Sequence, residues 1–309
     1  MAEVTQPQLG VTRRPAPGVV WEARPSPGYL QLTWRRFRRD HVSMAALGLF
    51  LLICAITLAA PLLVTHVLHT DPNTQDLLNN FAPPSPRHWL GTDELGRDTL
   101  ARVLYAGQVS LRIGLVVAAV SLLIGVPVGL AAGYYGGRVD DAINAVIQVL
   151  QNIPGMFLLI ILSVTYRPDP TLLAAFIGFI GWMGTARLVR GQTLSLARRD
   201  YIDAARVLGA SDARILFRHI LPNLTSVVTV IAGFEIATGI LLESGLSYLG
   251  LGVQPPTASW GNMLQGSLDY VTRAPWLVAA PGAAIFLTVL SIFLLADGLR
   301  DAFDPRMRG

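Results

Sequence analysis

The residues able to do chemistry in this sequence are few, and the most telling ones stand where the chain is otherwise apolar. Glu235 is the one charged residue in the run 224–242. A carboxylate there can handle a proton or a cation on a translocation path. It can equally accept a hydrogen bond from another helix, for example from Gln148 or Gln151. Either way an ionised group at membrane depth is costly and has to face the bundle interior, a partner subunit or water. Gln151 and Asn152 sit just before Pro154-Gly155 in a second apolar run. Proline has no N–H to donate, so the helix breaks there and frees carbonyls that must find partners or line a cavity. Broken helices near the bilayer centre mark substrate paths in transporters, and they also serve as packing kinks. Glu235, Gln151 and Asn152 are the translocation-path candidates, with helix packing as the rival reading.

Other groups fall short of a chemical constellation. The single cysteine, Cys54, lies in an apolar run and excludes a disulfide or thiolate metal site within the chain. His66, His69 and His88 have no fixed helical spacing, and Asp93, Glu94 and Asp98 do not have the spacing of an EF-hand. Gly250-x-Gly252 has neither the third glycine nor the βαβ setting of a dinucleotide site. All 24 basic residues are arginine, so there is no catalytic lysine and no Gly-x-x-x-x-Gly-Lys loop to hold ATP in the Walker manner. A pI near 9.6 reads as arginine gathered in loops on one side of a membrane, rather than as a nucleic-acid surface. No catalytic residue, metal ligand, bound cofactor or nucleic-acid partner is assigned.

The elements that must position these side chains are membrane helices. Of 309 residues, 52% are hydrophobic and 14% charged, against about 25% charged in an ordinary soluble domain. A spanning helix needs about 20 apolar residues. Runs over 42–64, 113–132, 142–165, 171–186, 224–242 and 276–296 meet or approach that length. Lipid offers the backbone no hydrogen bonds, which leaves the helix as the conformation for runs this long. The expected fold is all-α: a polytopic membrane protein with six spans in one domain over 34–309. A proline-rich, aperiodic tail over 1–33 is expected to be disordered. The run at 42–64 is too long and too far from the N-terminus for a signal peptide and reads as a retained first helix.

Arginine sets the orientation. With the N-terminus inside, eighteen arginines fall inside and six (Arg87, Arg97, Arg102, Arg112, Arg167 and Arg273) fall outside. Both termini are therefore expected to be cytoplasmic. The loops over 65–112 and 243–275 then lie outside, and the loop over 190–222 inside.

That inner loop carries its own start and stop signals. Tyr201, Ala204, Ala205 and Leu208 fall at i, i+3, i+4 and i+7, on one helical face. Gly209 follows as a left-handed C-terminal cap. Ser211 caps a second helix, with Asp212 favourable at its positive end. That helix carries Ile215, Leu216 and Ile220 and is expected to stop at Leu221-Pro222. Small Ala204 and Ala205 let a partner backbone approach closely.

Asp203-Ala204-Ala205, Gly209 and Leu221-Pro222 resemble the EAA loop of ATP-binding cassette (ABC) importer permeases, with the family's spacing. Asp203 stands where the family has Glu, and His219 where it has Ile. Three further stretches resemble the dipeptide, oligopeptide and nickel importer permeases, in particular their C-type subunit. These are His88-Trp89-Leu90-Gly91-Thr92-Asp93-Glu94-Leu95-Gly96-Arg97-Asp98, the stretch from Glu243 to Pro256 with Trp260-Gly261 after it, and Asp297-Gly298-Leu299-Arg300-Asp301-Ala302-Phe303-Asp304-Pro305. The likeness runs from about Trp34 to Gly309. It implies a type I ABC importer permease fold in the cytoplasmic membrane of a prokaryote. It implies a non-catalytic subunit whose loop, through Asp203, Ala204, Ala205, Gly209, Ser211, Asp212, Leu221 and Pro222, couples to an ATPase. The partners it implies are a homologous B-type permease, two ATP-binding cassette ATPase subunits holding ATP and Mg²⁺, an extracytoplasmic substrate-binding protein, and membrane lipid. Short peptides are the implied cargo; nickel chelates, glutathione, opines and oligosaccharides share the frame. A gradient-driven secondary transporter using Glu235 is the alternative of a different class.

Overall fold

The computed structural model describes residues 29–303. Most of the tail expected to be disordered, 1–28, lies outside them, while 29–33 begin a helix, α1 (Tyr29–Phe37). Among the described residues the chain is helix and turn, with one isolated β-bridge between Thr92 and Asp98. Asp40 caps α2 (His41–Leu58) by accepting from the amides of Val42 and Ser43. A short α3 (Ala60–His66) continues after a one-residue break, where Pro61 in the first turn cannot supply an amide to the helix before it. Then come α4 (Thr99–Tyr135), α5 (Gly137–Gln151), α6 (Gly155–Tyr166) and α7 (Pro170–Ala197). After α8 (Asp200–Val207) and α9 (Asp212–Arg214), a π-helical turn, Ile215–Ile220, leads into α10 (Leu221–Tyr248). The short α11 (Trp260–Met263) and the long α12 (Trp276–Phe303) complete the chain.

Among the described residues, five helical segments are long and apolar enough to cross a membrane: α2, α4, α7, the unbroken stretch Asp212–Tyr248, and α12. A sixth span exists if α5 and α6, bent by 64° at their break, count as one. The break falls at Asn152–Pro154, where proline predicted it.

The helices overrun the apolar runs. α4 starts at Thr99 rather than near 113, α7 runs to Ala197 rather than 186, and α12 to Phe303. Hydropathy marks only the part that lipid selects, whereas a helix already nucleated gains a hydrogen bond with each added residue. The inner loop is correspondingly shorter than 190–222. Its first residues belong to α7, and its last belong to the helix that becomes α10. Leu221-Pro222 does not stop that helix. Pro222 occupies the first turn of α10. The π turn ahead of it bonds Leu221 N–H to the Leu216 carbonyl, five residues back. The wider turn accommodates a proline that would otherwise press on the carbonyl four residues earlier.

The core seam joins α4 to α7. Gly125, Gly129 and Gly133 lie one turn apart on α4. A Cβ at Gly125 would stand 2.8 Å from the Trp182 carbonyl, and one at Gly129 would stand 2.5 Å from that of Ala186. A Cβ at Gly133 would stand 2.7 Å from the Arg190 carbonyl. In lipid, where apolar burial gives no drive between helices, such close approach supplies the dispersion contact that does. α10 packs on α4, α7 and α12, and α12 packs on α2. The α5–α6 pair has few neighbours, and it exposes Phe157 and Ile161 by 64% and 63%.

Candidate functional site

At one end of the bundle, the polar turn 198–211 forms the compact structure its sequence implies. Gly209 has φ +80°. Its amide donates to the Arg206 carbonyl at 2.9 Å, and the amide of Ala210 to the Ala205 carbonyl at 3.0 Å. This is a left-handed helix end that absorbs the last carbonyls of α8. Ser211 caps the next helix, its hydroxyl accepting from the Arg214 amide at 3.4 Å. Ile202 and Ile215 are fully buried in a cluster with Leu130, Val189, Ile220 and Leu224. The turn is therefore anchored to α4, α7 and α10 from beneath.

Its outer face is open. Asp203 and Ala204 are exposed and Ala205 half-buried, while Tyr201 is 43% and Leu208 86% exposed. Asp203 accepts from Arg206 Nη1 at 2.9 Å. The Arg206 guanidinium lies 5.4 Å from the ring centre of Tyr134, on the last turn of α4. Tyr134, and after it Asp203, hold Arg206 above its usual pKa. The Tyr134 hydroxyl in turn donates to Asp212 Oδ1 at 2.8 Å. A recess of about 350 Å³, lined by Ala205, Leu208, Ala210, Arg214, Arg218 and His219, lies beside the turn. The structure thus gathers Asp203, Ala204, Ala205, Gly209, Ser211 and Asp212 into one feature. Leu221 and Pro222 stand apart from it, in the helix that follows.

Within the bundle, Glu235 meets neither Gln148 nor Gln151. Glu235 Oε1 accepts from the Thr185 hydroxyl of α7 at 3.0 Å. Thr185 lies 2.9 Å from the hydroxyl of Ser121 on α4. Gly181 leaves room for the other carboxylate oxygen, since a Cβ there would lie 2.9 Å from Oε2. Glu235 also lines an apolar cavity of about 260 Å³ with Val117, Met156, Ile177, Thr238 and Leu242. Gln151 and Asn152 are exposed at the α5–α6 break and are not among its lining residues. Asn152 Nδ2 donates to the Gln148 carbonyl at 2.9 Å, capping its own helix.

The opposite end holds the two long loops. Asp98 caps α4 by accepting from the Ala101 amide at 2.8 Å and pairs with His88 Nδ1 at 2.9 Å. Asp93 accepts from Arg97 Nε at 2.7 Å. The Trp276 indole donates to the Thr92 carbonyl at 3.0 Å, fastening this loop to α12. Glu243, placed in a loop by its apolar-run boundary, instead sits in the last turns of α10 and is fully buried. Its Oε1 accepts from Ser247 at 2.6 Å and from Ser259 at 2.7 Å. The next amide, that of Trp260, donates to Ser110 of α4 at 3.1 Å. The loop after α10 is thereby bonded to two helices.

Sequence reasoning missed Tyr134, Ile202, Ser121 and Thr185. Single hydroxyls in apolar runs leave no periodic mark. The Gly-x-x-x-Gly-x-x-x-Gly spacing on α4 is a legible signal that would have paired α4 with another helix.

Comparison with known proteins adds sequence-level relationships. Residues 125–309 match the family model described as binding-protein-dependent transport system inner membrane component. Residues 28–84 match the N-terminal TM domain of oligopeptide transport permease C. The oligopeptide transport system permease protein OppC of Bacillus subtilis is 38% identical, over 88% of this chain and 88% of that protein. The dipeptide transport system permease protein DppC of the same organism is 37% identical, over 92% and 88%. The glutathione transport system permease protein GsiD of Pectobacterium atrosepticum is 42% identical, over 89% and 90%. A solved structure of the MetNI methionine ABC transporter aligns at TM-score 0.47 and 19% identity, over 66% of this chain and 97% of that one.

Proposed function

The chain belongs to the family of binding-protein-dependent transport system inner membrane components, and from that premise we propose that it is a transmembrane permease subunit of an ABC importer for di- and oligopeptides. It is a multi-span transport component. Cargo follows from the relatives of nearly full length that are named for oligopeptide and dipeptide transport. Glutathione, itself a short peptide, is the alternative favoured by the relative named for its transport.

Energy enters through partners. ATP and Mg²⁺ reside on two cytoplasmic ATPase subunits, and the turn 198–211 docks on one of them. Asp203, Ala204, Ala205 and Gly209 form the docked feature, and Ser211 and Asp212 start the helix behind it. A homologous B-type permease completes the pathway, and an extracytoplasmic binding protein delivers cargo to the loops around Asp93 and Trp260. The turn end of the bundle is then cytoplasmic, the side that the arginine bias also favours for both termini.

The observation that carries this reading is the unbroken helix Asp212–Tyr248. Its 37 residues rise about 1.5 Å each, so it is a lever of roughly 55 Å. When ATP closes the ATPase pair, the turn moves with it. A rigid helix rooted in that turn carries the displacement past Glu235 to the buried Glu243–Ser259 contact. The membrane cavity switches from inward- to outward-facing. Glu235 lines that path and attracts the ammonium end of a peptide.

The test is co-purification. An affinity tag on this chain, expressed with its partner permease and ATPase subunits, should retain an ATP-hydrolysing complex in mild detergent. Recovery of the chain as a self-sufficient oligomer, with no ATPase bound under any nucleotide condition, contradicts the proposal.

A further inference from the structure

α7 and α10 are joined to the turn 198–211 by the chain itself; α4 is not. We propose that Tyr134 is the positioning residue that adds a polar connection to the apolar packing of α4 beneath the turn, tying α4 to the coupling turn on both sides of Gly209. The inference rests on the coupling role proposed above for that turn.

The geometry is specific. Tyr134 stands one residue from the end of α4, its ring half-buried against the cluster that holds Ile202 and Ile215. Its hydroxyl donates to Asp212 Oδ1 at 2.8 Å, beyond Gly209, and its ring faces Arg206 at 5.4 Å, before it. Arg206 is bonded to Asp203, the acidic residue of the docked motif, at 2.9 Å. One side chain therefore holds both helices of the turn. Both contacts involve a full charge, which makes a hydrogen bond about twice as strong as a neutral one and gives the aromatic face a cation to attract. Ser211 already caps the second helix, so the bond from Tyr134 to Asp212 is not needed to form it. Its effect is to fix the helix start relative to α4.

What α4 does with that connection follows from its other contacts. The glycine seam locks it to α7. Its Ser121 lies beside Thr185, which bonds Glu235. Its Ser110 accepts from the Trp260 amide at the far end. A displacement of the turn that reaches α4 therefore reaches the membrane-depth carboxylate and the outer loop through α4 as well as along α10.

Tyr134→Phe keeps the ring and its packing and removes only the hydroxyl. The experiment uses the full complex with its binding protein in liposomes, measuring peptide taken up per ATP hydrolysed. We expect Tyr134→Phe to assemble normally and hydrolyse ATP within about twofold of native, while uptake per ATP falls about tenfold or more, the loss expected for a bond to a charged acceptor. Asp212→Ala should give a similar fall. The double variant should lose no more than either single one, as two ends of one bond require. Native uptake per ATP in Tyr134→Phe overturns the proposal, and so do fully additive losses. Gly209→Val, measured alongside, separates the two readings. If it is uncoupled while Tyr134→Phe is native, the connection to α4 is wrong and the coupling turn stands. If both are native, the coupling turn falls as well.

Discussion

Replacing Gly209 by valine attacks the turn at its conformational centre and nowhere else. At φ +80° a Cβ would meet nothing within 4 Å, so the whole cost is backbone. A left-handed L-residue costs about 1–2 kcal/mol, and a β-branched one lies at or above the upper end. At 1.4 kcal/mol per decade, about 2 kcal/mol depletes the native turn roughly thirtyfold against open alternatives. Those alternatives give up the bonds from Gly209 to Arg206 and from Ala210 to Ala205. The turn is one surface feature on a multi-helix core, so Gly209→Val should insert and pair with its partner permease. Uptake should fall more than tenfold, and the binding protein should no longer stimulate the ATPase. Asparagine tolerates the left-handed region, so Gly209→Asn should keep at least half of native uptake, with Gly209→Ala between the two. The assay is the complex in liposomes, with uptake and ATPase rate read side by side. Native uptake in Gly209→Val would refute the reasoning and leave the turn a plain connector.

Three further outcomes are expected. In a Cys54→Ala background, a cysteine at Ser85 should react with an impermeant thiol reagent on intact cells and one at Ser195 should not; reversed labelling contradicts the orientation. Glu235→Gln keeps an acceptor for Thr185, so the melting temperature should hold while the preference for peptides with a free ammonium over N-acetylated ones declines; unchanged uptake across both classes removes Glu235 from the path. Gly129→Ala drives a Cβ to 2.5 Å from the Ala186 carbonyl and should cost about 1–3 kcal/mol of packing, seen as a lower melting temperature of the purified complex; an unchanged melt denies the tight α4–α7 seam.

How much of this was legible in the sequence depends on which force left a mark. Lipid selects apolar residues, so the centres of the spans were readable from composition. Water selects nothing comparable along a helix, so the ends of α4 and α7 were misplaced by a dozen residues or so. Turn chemistry was readable where one conformation demands one residue type, as at Gly209 and Ser211. Pro222 was misread because proline both ends helices and begins them, and only the π turn ahead of it decides between the two. For Glu235, the burial and the need for a partner were readable, but the partner was not. Amides at Gln148 and Gln151 were the visible candidates, whereas the donor is a threonine whose hydroxyl has no periodic signature. Tyr134 was invisible for a related reason: it lies 78 residues before Asp212 in the chain, and nothing local announces the contact.

The central claim is that movement of cargo is driven by ATP bound to other subunits. The most direct measurement is uptake of a labelled dipeptide into liposomes holding the purified complex, with the binding protein outside and nucleotide enclosed. The account predicts uptake that requires enclosed ATP and the binding protein, is abolished by a catalytic substitution in the ATPase subunits, and is indifferent to a protonophore. Uptake by this chain without ATPase subunits, driven by an imposed proton gradient and lost with Glu235→Gln, would contradict it.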